Sequence, residues 1–178
     1  MLQAGADKQN KHAERMLEMK NLIAYYSWNG NTEVAAKELS QLIGGDLKKI
    51  EETKPRKSFG MAACSAVFGL KSRIRPMDFS LDGYDSVFLG GPVWAGRSTP
   101  AVNAFLERAD FSNKKVYLFV TQADDHEPRA VFQSLTQRVE KRGGKVAGCS
   151  FIQTVMKSVL APDAARKPLT EWVNKLSL

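Results

Sequence analysis

The sequence is poor in the residues that carry metal and covalent chemistry. Cysteine occurs twice, as Cys64 and Cys149, far apart and without the spacing of metal ligands, so both are read as buried, reduced thiols. Histidine also occurs twice. His12 lies in a polar N-terminal stretch and suggests nothing, while His126 sits in Asp124-Asp125-His126-Glu127-Pro128. His126 reads either as a proton donor to a reduced acceptor or as part of a polar turn opening a helix, and the run is no metal site because adjacent residues rarely converge on one ion. Long apolar runs are missing too: nothing approaches the roughly 18 residues of a membrane-spanning helix. The first twenty residues contain no apolar centre that would serve as a secretory signal, so a cytoplasmic location is expected. Two nucleotide fingerprints are absent, Gly-x-Gly-x-x-Gly and Gly-x-x-x-x-Gly-Lys-Ser/Thr, which excludes the usual dinucleotide and nucleoside-triphosphate loops. No internal repeat and no low-complexity segment is found.

What is present describes one ordinary globular domain. The chain has 178 residues, 43% hydrophobic and 25% charged, enough to bury a single core. Residues 1–20 are polar and without sustained periodicity and read as a loose extension; residues 21–178 form the domain. The net charge of +7 is unevenly spread. Between Lys48 and Arg75 eight basic residues face Glu51 and Glu52, a local balance of +6. Such a face suits nucleic acid, an anionic membrane, a phosphorylated cofactor or an acidic redox partner, and a merely solvated surface equally well.

From Asn21 onward, short apolar runs alternate with amphipathic stretches. Strands are expected at Leu22–Tyr26, near Leu47–Ile50, at Ser86–Leu89, at Val116–Val120 and at Val146–Ile152, as continuous apolar runs covered on both faces. Helices are expected around Val34–Ile43, ended by Gly44-Gly45; around Val102–Leu106; around Val131–Val139, before Gly143-Gly144; and around Leu169–Leu176. A further segment, Ser58–Leu70, is apolar but carries Gly60 and Gly69, and reads as helical, irregular or part of a mobile flap. This alternation predicts an α/β, doubly wound parallel sheet. Ligands of such sheets bind beyond the carboxyl ends of the strands, where the winding reverses.

Two loops at those ends carry chemistry. Ser27-Trp28-Asn29-Gly30-Asn31-Thr32 lies between the first strand and the first helix and offers hydroxyls, amides and free helix N–H groups, an arrangement suited to a phosphate without a metal. Asn and Thr are also ordinary capping residues, so a plain capped turn is the competing reading. Gly90-Gly91-Pro92-Val93-Trp94-Ala95-Gly96-Arg97 follows the third strand. Its glycines suggest close backbone approach to a ligand, and Trp94 reads as a flat face in a segment too polar and glycine-rich for the core.

With these two loops the chain resembles the flavodoxin family from about Asn21 to its C-terminus. The resemblance is carried by Tyr-Tyr-Ser-Trp-Asn-Gly-Asn-Thr at 25–32 and Gly-Gly-Pro-Val-Trp-Ala-Gly at 90–96. It implies a five-stranded sheet of order 2-1-3-4-5 in the short-chain arrangement, with one FMN bound non-covalently. Ser27, Asn29, Gly30, Asn31 and Thr32 would bind its phosphate, with Trp28 of the same loop also a cofactor-binding residue, while Pro92, Val93, Trp94, Ala95 and Gly96 would line its ring. Thr121, Gln122, Ala123 and Asp124 would meet the pyrimidine edge. The chain departs from the family pattern in Asn29, where the family usually has Thr. It also lacks an aromatic in the third loop, and it is basic where flavodoxins are usually acidic. Arg97 would then bring positive charge next to the flavin. The resemblance implies electron transfer with a redox partner protein; the alternative is an NAD(P)H-dependent reduction of a quinone or other small acceptor. It implies no nucleic-acid partner, and a monomer or a homodimer.

Overall fold

The computed structural model describes residues 17–54, 72–155 and 158–176. The chain forms β1 (Asn21–Tyr26), α1 (Asn31–Ile43), β2 (Asp46–Ile50), β3 (Ser86–Trp94), β4 (Arg97–Ser98), α2 (Pro100–Arg108), β5 (Lys115–Gln122), α3 (Arg129–Lys141), β6 (Lys145–Gln153) and α4 (Pro162–Val173). The parallel strands lie in the order β2-β1-β3-β5-β6. This is the expected 2-1-3-4-5 order, with one addition: β4 pairs antiparallel with the end of β3. The segment 58–70, most of the N-terminal extension, Cys64, and Arg56, Lys57 and Lys71 of the basic stretch lie outside the described residues.

Alternate side chains of each central strand enter opposite layers, as the pleat requires. Leu22, Ala24, Val87, Leu89, Val116, Leu118 and Val120 pack with Val102 and Phe105 of α2 and with Val131, Leu135 and Val139 of α3. Ile23, Tyr25, Phe88, Tyr117 and Phe119 pack with Ala35, Ala36 and Leu39 of α1 and with Leu169 and Trp172 of α4. Both faces of β1, β3 and β5 are therefore covered, which is why these strands read as continuous apolar runs.

Local signals set the helix ends. Gly44 ends α1 with φ 65 and donates its N–H to the Ser40 carbonyl at 2.9 Å. Thr99 caps α2, with Pro100 in the first turn. The last helix starts earlier than its apolar spacing suggests, at Pro162, and runs through Pro168. Leu17 and Met19, at the end of the extension, lie close to the domain: a Cβ on Gly44 would stand 3.2 Å from Leu17, and Met19 packs against the core.

The segment after Leu89 differs from the sequence expectation. It is not a loop from Gly90 but the continuation of β3, and its two glycines serve the core. A Cβ on Gly90 would stand 2.1 Å from the Phe119 ring, and one on Gly91 would stand 2.7 Å from Val102. The chain turns only at Ala95 and Gly96, with φ 47 and φ 69. Two consecutive left-handed residues between antiparallel partners make a tight hairpin turn.

Candidate functional site

The winding reverses between β1 and β3, so the carboxyl ends of these two strands open a crevice at which α1 begins. Gly30 precedes α1 with φ 95, and no side chain caps the helix. The Asn31 N–H makes only a long contact, 3.4 Å, to Asn29 Oδ1. A helix start leaves its first N–H groups without intrahelical partners and carries roughly half a positive charge. Beside it, Ser27 Oγ is buried and has no hydrogen-bond partner. A buried hydroxyl left in this state costs about 1–3 kcal/mol. An uncapped helix start and an orphaned hydroxyl together form a donor set for an anion.

Glu33, in the first turn of α1, would oppose an anion, but it is drawn away. Its carboxylate pairs with Lys49 at 2.6 Å and Lys37 at 3.0 Å. The hydrogen bond from Lys49, then that from Lys37, holds the Glu33 carboxyl below the ordinary glutamate range, and the same contact with Glu33 raises Lys49. Other described members of the basic stretch are paired as well: Lys48 with Asp78 at 3.5 Å and Arg75 with Glu51 at 3.4 Å.

Two predicted phosphate residues also make bonds that tie α1 to the rest of the fold. Thr32 is fully buried, and its hydroxyl lies 2.8 Å from that of Thr121 on β5. Asn31 is also buried, and its Oδ1 accepts the Leu160 N–H at 2.7 Å. Both side chains lock α1 to elements on the far side of the crevice.

A cavity of about 480 Å³ opens next to the helix start. Trp28, Asn29 and Asn31 line one side, Pro92, Val93 and Trp94 another, and Thr121, Gln122 and Ala123 a third. Its size and largely apolar, aromatic walls are those of a small-molecule site. Residues from all three predicted loops thus converge on one space. Ser27, Gly30 and Thr32 are not among its lining residues.

Both tryptophans line this cavity, but they differ in burial. Trp94 is 2% exposed and belongs to the core. It meets Tyr26 and Trp28 edge-to-face, each at a centroid distance of 5.9 Å. Trp28, 38% exposed, is the indole at the cavity mouth. Ala95 and Gly96 line a neighbouring cavity of about 460 Å³, together with Asp124, His126 and Arg129. The two cavities share Val93, Gln122 and Ala123. Arg97 is exposed and lines neither cavity.

The third loop is shaped by Gln122, whose Nε2 donates to the main-chain carbonyls of Asp124, at 3.2 Å, and of His126. Asp124 accepts the His126 N–H at 3.1 Å, and this bond holds its carboxyl below the ordinary range. Asp124, Asp125 and His126 do bring ligating atoms within 4.8 Å of one another, closer than their adjacency in sequence suggests, but all three are exposed. Cys149 is half-buried; burial, followed by the charge of Glu127, pushes its thiol up to about 11. Among the described residues no helix is long and apolar enough to cross a membrane.

Sequence reasoning missed the segment after β6. Thr154 and Val155 line the larger cavity, and a Cβ on Gly30 would stand 3.6 Å from Val159. The signal was available, because this segment also follows the carboxyl end of a strand. Its shortness disguised it as a connection.

The doubly wound sheet, the uncapped helix start at its switch point and the aromatic cavity beside it define the class of mononucleotide-binding α/β proteins. The family model for flavodoxin matches residues 20–176, and the chain belongs to the flavodoxin family. No curated protein matches the sequence. Among solved structures, the chain is similar to a flavoprotein from Bacteroides uniformis, with 22% identity and a TM-score of 0.73 over 88% of this chain and 99% of that one. It is also similar to a flavoprotein from Lactobacillus acidophilus in complex with FMN, with 22% identity and a TM-score of 0.62 over 75% and 93% of the two chains. Oxidised flavodoxin 2 from Bacillus cereus aligns at 22% identity and a TM-score of 0.53 over 88% and 99%. At these identities the likeness is one of fold.

Proposed function

We propose that the chain binds one FMN, with its phosphate at the start of α1 and its ring in the cavity of about 480 Å³, and acts as an electron carrier between proteins. Family membership supports FMN as the cofactor, and the donor set agrees with it. The observation that carries the reading is the orphaned Ser27 hydroxyl beside an uncapped helix start, which together meet an anion without any Lys or Arg between residues 27 and 32. When bound, the flavin supplies electron transfer at its ring. The chain's own residues bind and orient it. Ser27 and the first N–H groups of α1 hold the phosphate, while Trp28, Pro92 and Val93 exclude water from the ring. The main chain of Thr121–Asp124, shaped by Gln122, meets its polar edge. Thr32 and Asn31 keep the helix start in place by their bonds to Thr121 and Leu160. A cytoplasmic setting, where Cys64 and Cys149 stay reduced, belongs to the same proposal.

One observation favours the second reading, reduction of a small acceptor by NAD(P)H. The neighbouring cavity of about 460 Å³ adjoins the first through Val93, Gln122 and Ala123 and has room for a substrate. Anaerobic reductive titration, followed by addition of NADH or NADPH with a quinone, separates the two. A carrier takes up electrons in two resolved one-electron steps and leaves the nicotinamide unoxidised. Rapid nicotinamide turnover would replace the carrier reading with the enzymatic one.

A further inference from the structure

Three aromatic side chains lead from the cavity into the protein and end at a carboxylate. Trp28 stands at the cavity mouth, 38% exposed. Its ring centroid lies 5.9 Å from that of Trp94, at an interplanar angle of 84°. Trp94 in turn lies 5.9 Å from Tyr26, at 83°. Both inner rings are buried, at 2% and 5% exposure. The Tyr26 hydroxyl donates to Glu52 Oε2 at 2.8 Å, and Glu52, half-buried just after β2, also accepts the Ser72 hydroxyl.

Edge-to-face rings at this separation are in van der Waals contact, a distance at which an electron vacancy passes rapidly from ring to ring. What decides its direction is the proton. An oxidised phenol is a strong acid, so a tyrosine that can hand its proton to a neighbouring base becomes a better electron donor than a tryptophan. Tyr26 has such a base. The second indole–phenol pair does not: Trp172 lies 6.4 Å from Tyr117, but the Tyr117 hydroxyl is buried without a hydrogen-bond partner. It has nowhere to send a proton, and burial raises its pKa.

We infer that Trp28, Trp94 and Tyr26 form a relay that carries one-electron oxidation away from the cavity to the Tyr26–Glu52 pair. A strong one-electron oxidant of the radical class, formed in or reaching the cavity, takes one electron from Trp28. Trp94 refills Trp28, and Tyr26 refills Trp94 while its phenolic proton passes to Glu52. The oxidant is reduced by one electron, Tyr26 is left as a neutral phenoxyl radical, and Glu52 is left protonated. A thiol or ascorbate in solution then returns one electron to Tyr26, and Glu52 returns the proton. The relay would protect the cavity from oxidative damage. It rests on side-chain geometry alone, so its failure and the failure of the FMN reading are separate events.

The test is pulse radiolysis of the full-length protein with azide radicals, which oxidise indoles, followed by transient absorption. In the wild type the indole radical should convert to a phenoxyl radical at a rate independent of protein concentration. Tyr26→Phe should lower the delayed phenoxyl yield at least tenfold, Glu52→Gln should slow the conversion at least tenfold, and Tyr117→Phe should leave it unchanged. The relay is overturned if the conversion is absent from the wild type, persists in Tyr26→Phe, keeps its wild-type rate in Glu52→Gln, is lost equally in Tyr117→Phe, or scales with protein concentration.

Discussion

Replacing Ser27 by Ala should have opposite effects on the free and the liganded protein. The Ser27 hydroxyl is buried and has no hydrogen-bond partner within the chain. Such a group costs about 1–3 kcal/mol, and a methyl group in its place loses no hydrogen bond. With part of the gain offset by imperfect packing, Ser27→Ala should stabilise the flavin-free protein by about 1 kcal/mol. For a chain of this size that is a rise in Tm of roughly 2–4 °C. With FMN bound, the same substitution removes a hydrogen bond to a charged phosphate, worth about 1.5–3 kcal/mol. At about 1.4 kcal/mol per decade, affinity should fall about tenfold to 150-fold. Riboflavin, which has no phosphate, should bind mutant and wild type alike. Thermal denaturation of the flavin-free proteins and calorimetric titration with each flavin supply the three numbers. A lower Tm in the flavin-free mutant would mean that the hydroxyl has a partner, and equal losses of FMN and riboflavin affinity would remove Ser27 from the phosphate site.

Thr32→Val should act mainly on stability: it strands the buried Thr121 hydroxyl, at about 1–3 kcal/mol in urea denaturation, and Thr32→Val with Thr121→Val should recover most of the loss. Gly90→Ala should overpack the sheet against Phe119, costing about 1–3 kcal/mol or more, and Phe119→Leu in the same chain should restore part of the denaturation midpoint. Glu33 makes a small contribution that depends on pH. Its folded-state pKa is depressed, so its stabilisation is present above the ordinary glutamate value of 4.5 and is lost as pH falls through the lower folded value. Glu33→Gln should therefore flatten the acid limb of stability against pH, by no more than about 1 kcal/mol for a pair this exposed. An unchanged acid limb would mean the pairs with Lys37 and Lys49 carry no stability.

The parts of the molecule that follow from local pattern were legible in the sequence. Buried parallel strands must be apolar on both faces, so β1, β3 and β5 announced themselves, and Gly44 marked the end of α1. Parts that depend on a distant neighbour were not. Gly90 reads locally as a ligand-facing glycine, yet its reason is the Phe119 ring on another strand. Trp94 has polar, glycine-rich neighbours in sequence and aromatic neighbours in space, Tyr26 and Trp28, which take it into the core. Thr32 is an ordinary phosphate-loop residue by position, and only the approach of Thr121 shows that its hydroxyl also makes a bond within the fold. The start of α4 was missed because Pro168 argues against a helix interior. The loops after β1 and β3 were singled out because the switch-point rule confines ligands to the carboxyl ends of strands, and residues of both line one cavity. The same rule, applied to the segment after β6, would have found Thr154 and Val155.

The central claim is that the start of α1 holds a phosphate, and calorimetric titration of the flavin-free wild-type protein with FMN and with riboflavin tests it most directly. Two or more charge-assisted hydrogen bonds from Ser27 and the helix N–H groups predict FMN binding at least about a hundredfold tighter than riboflavin. Equal affinities would contradict the account.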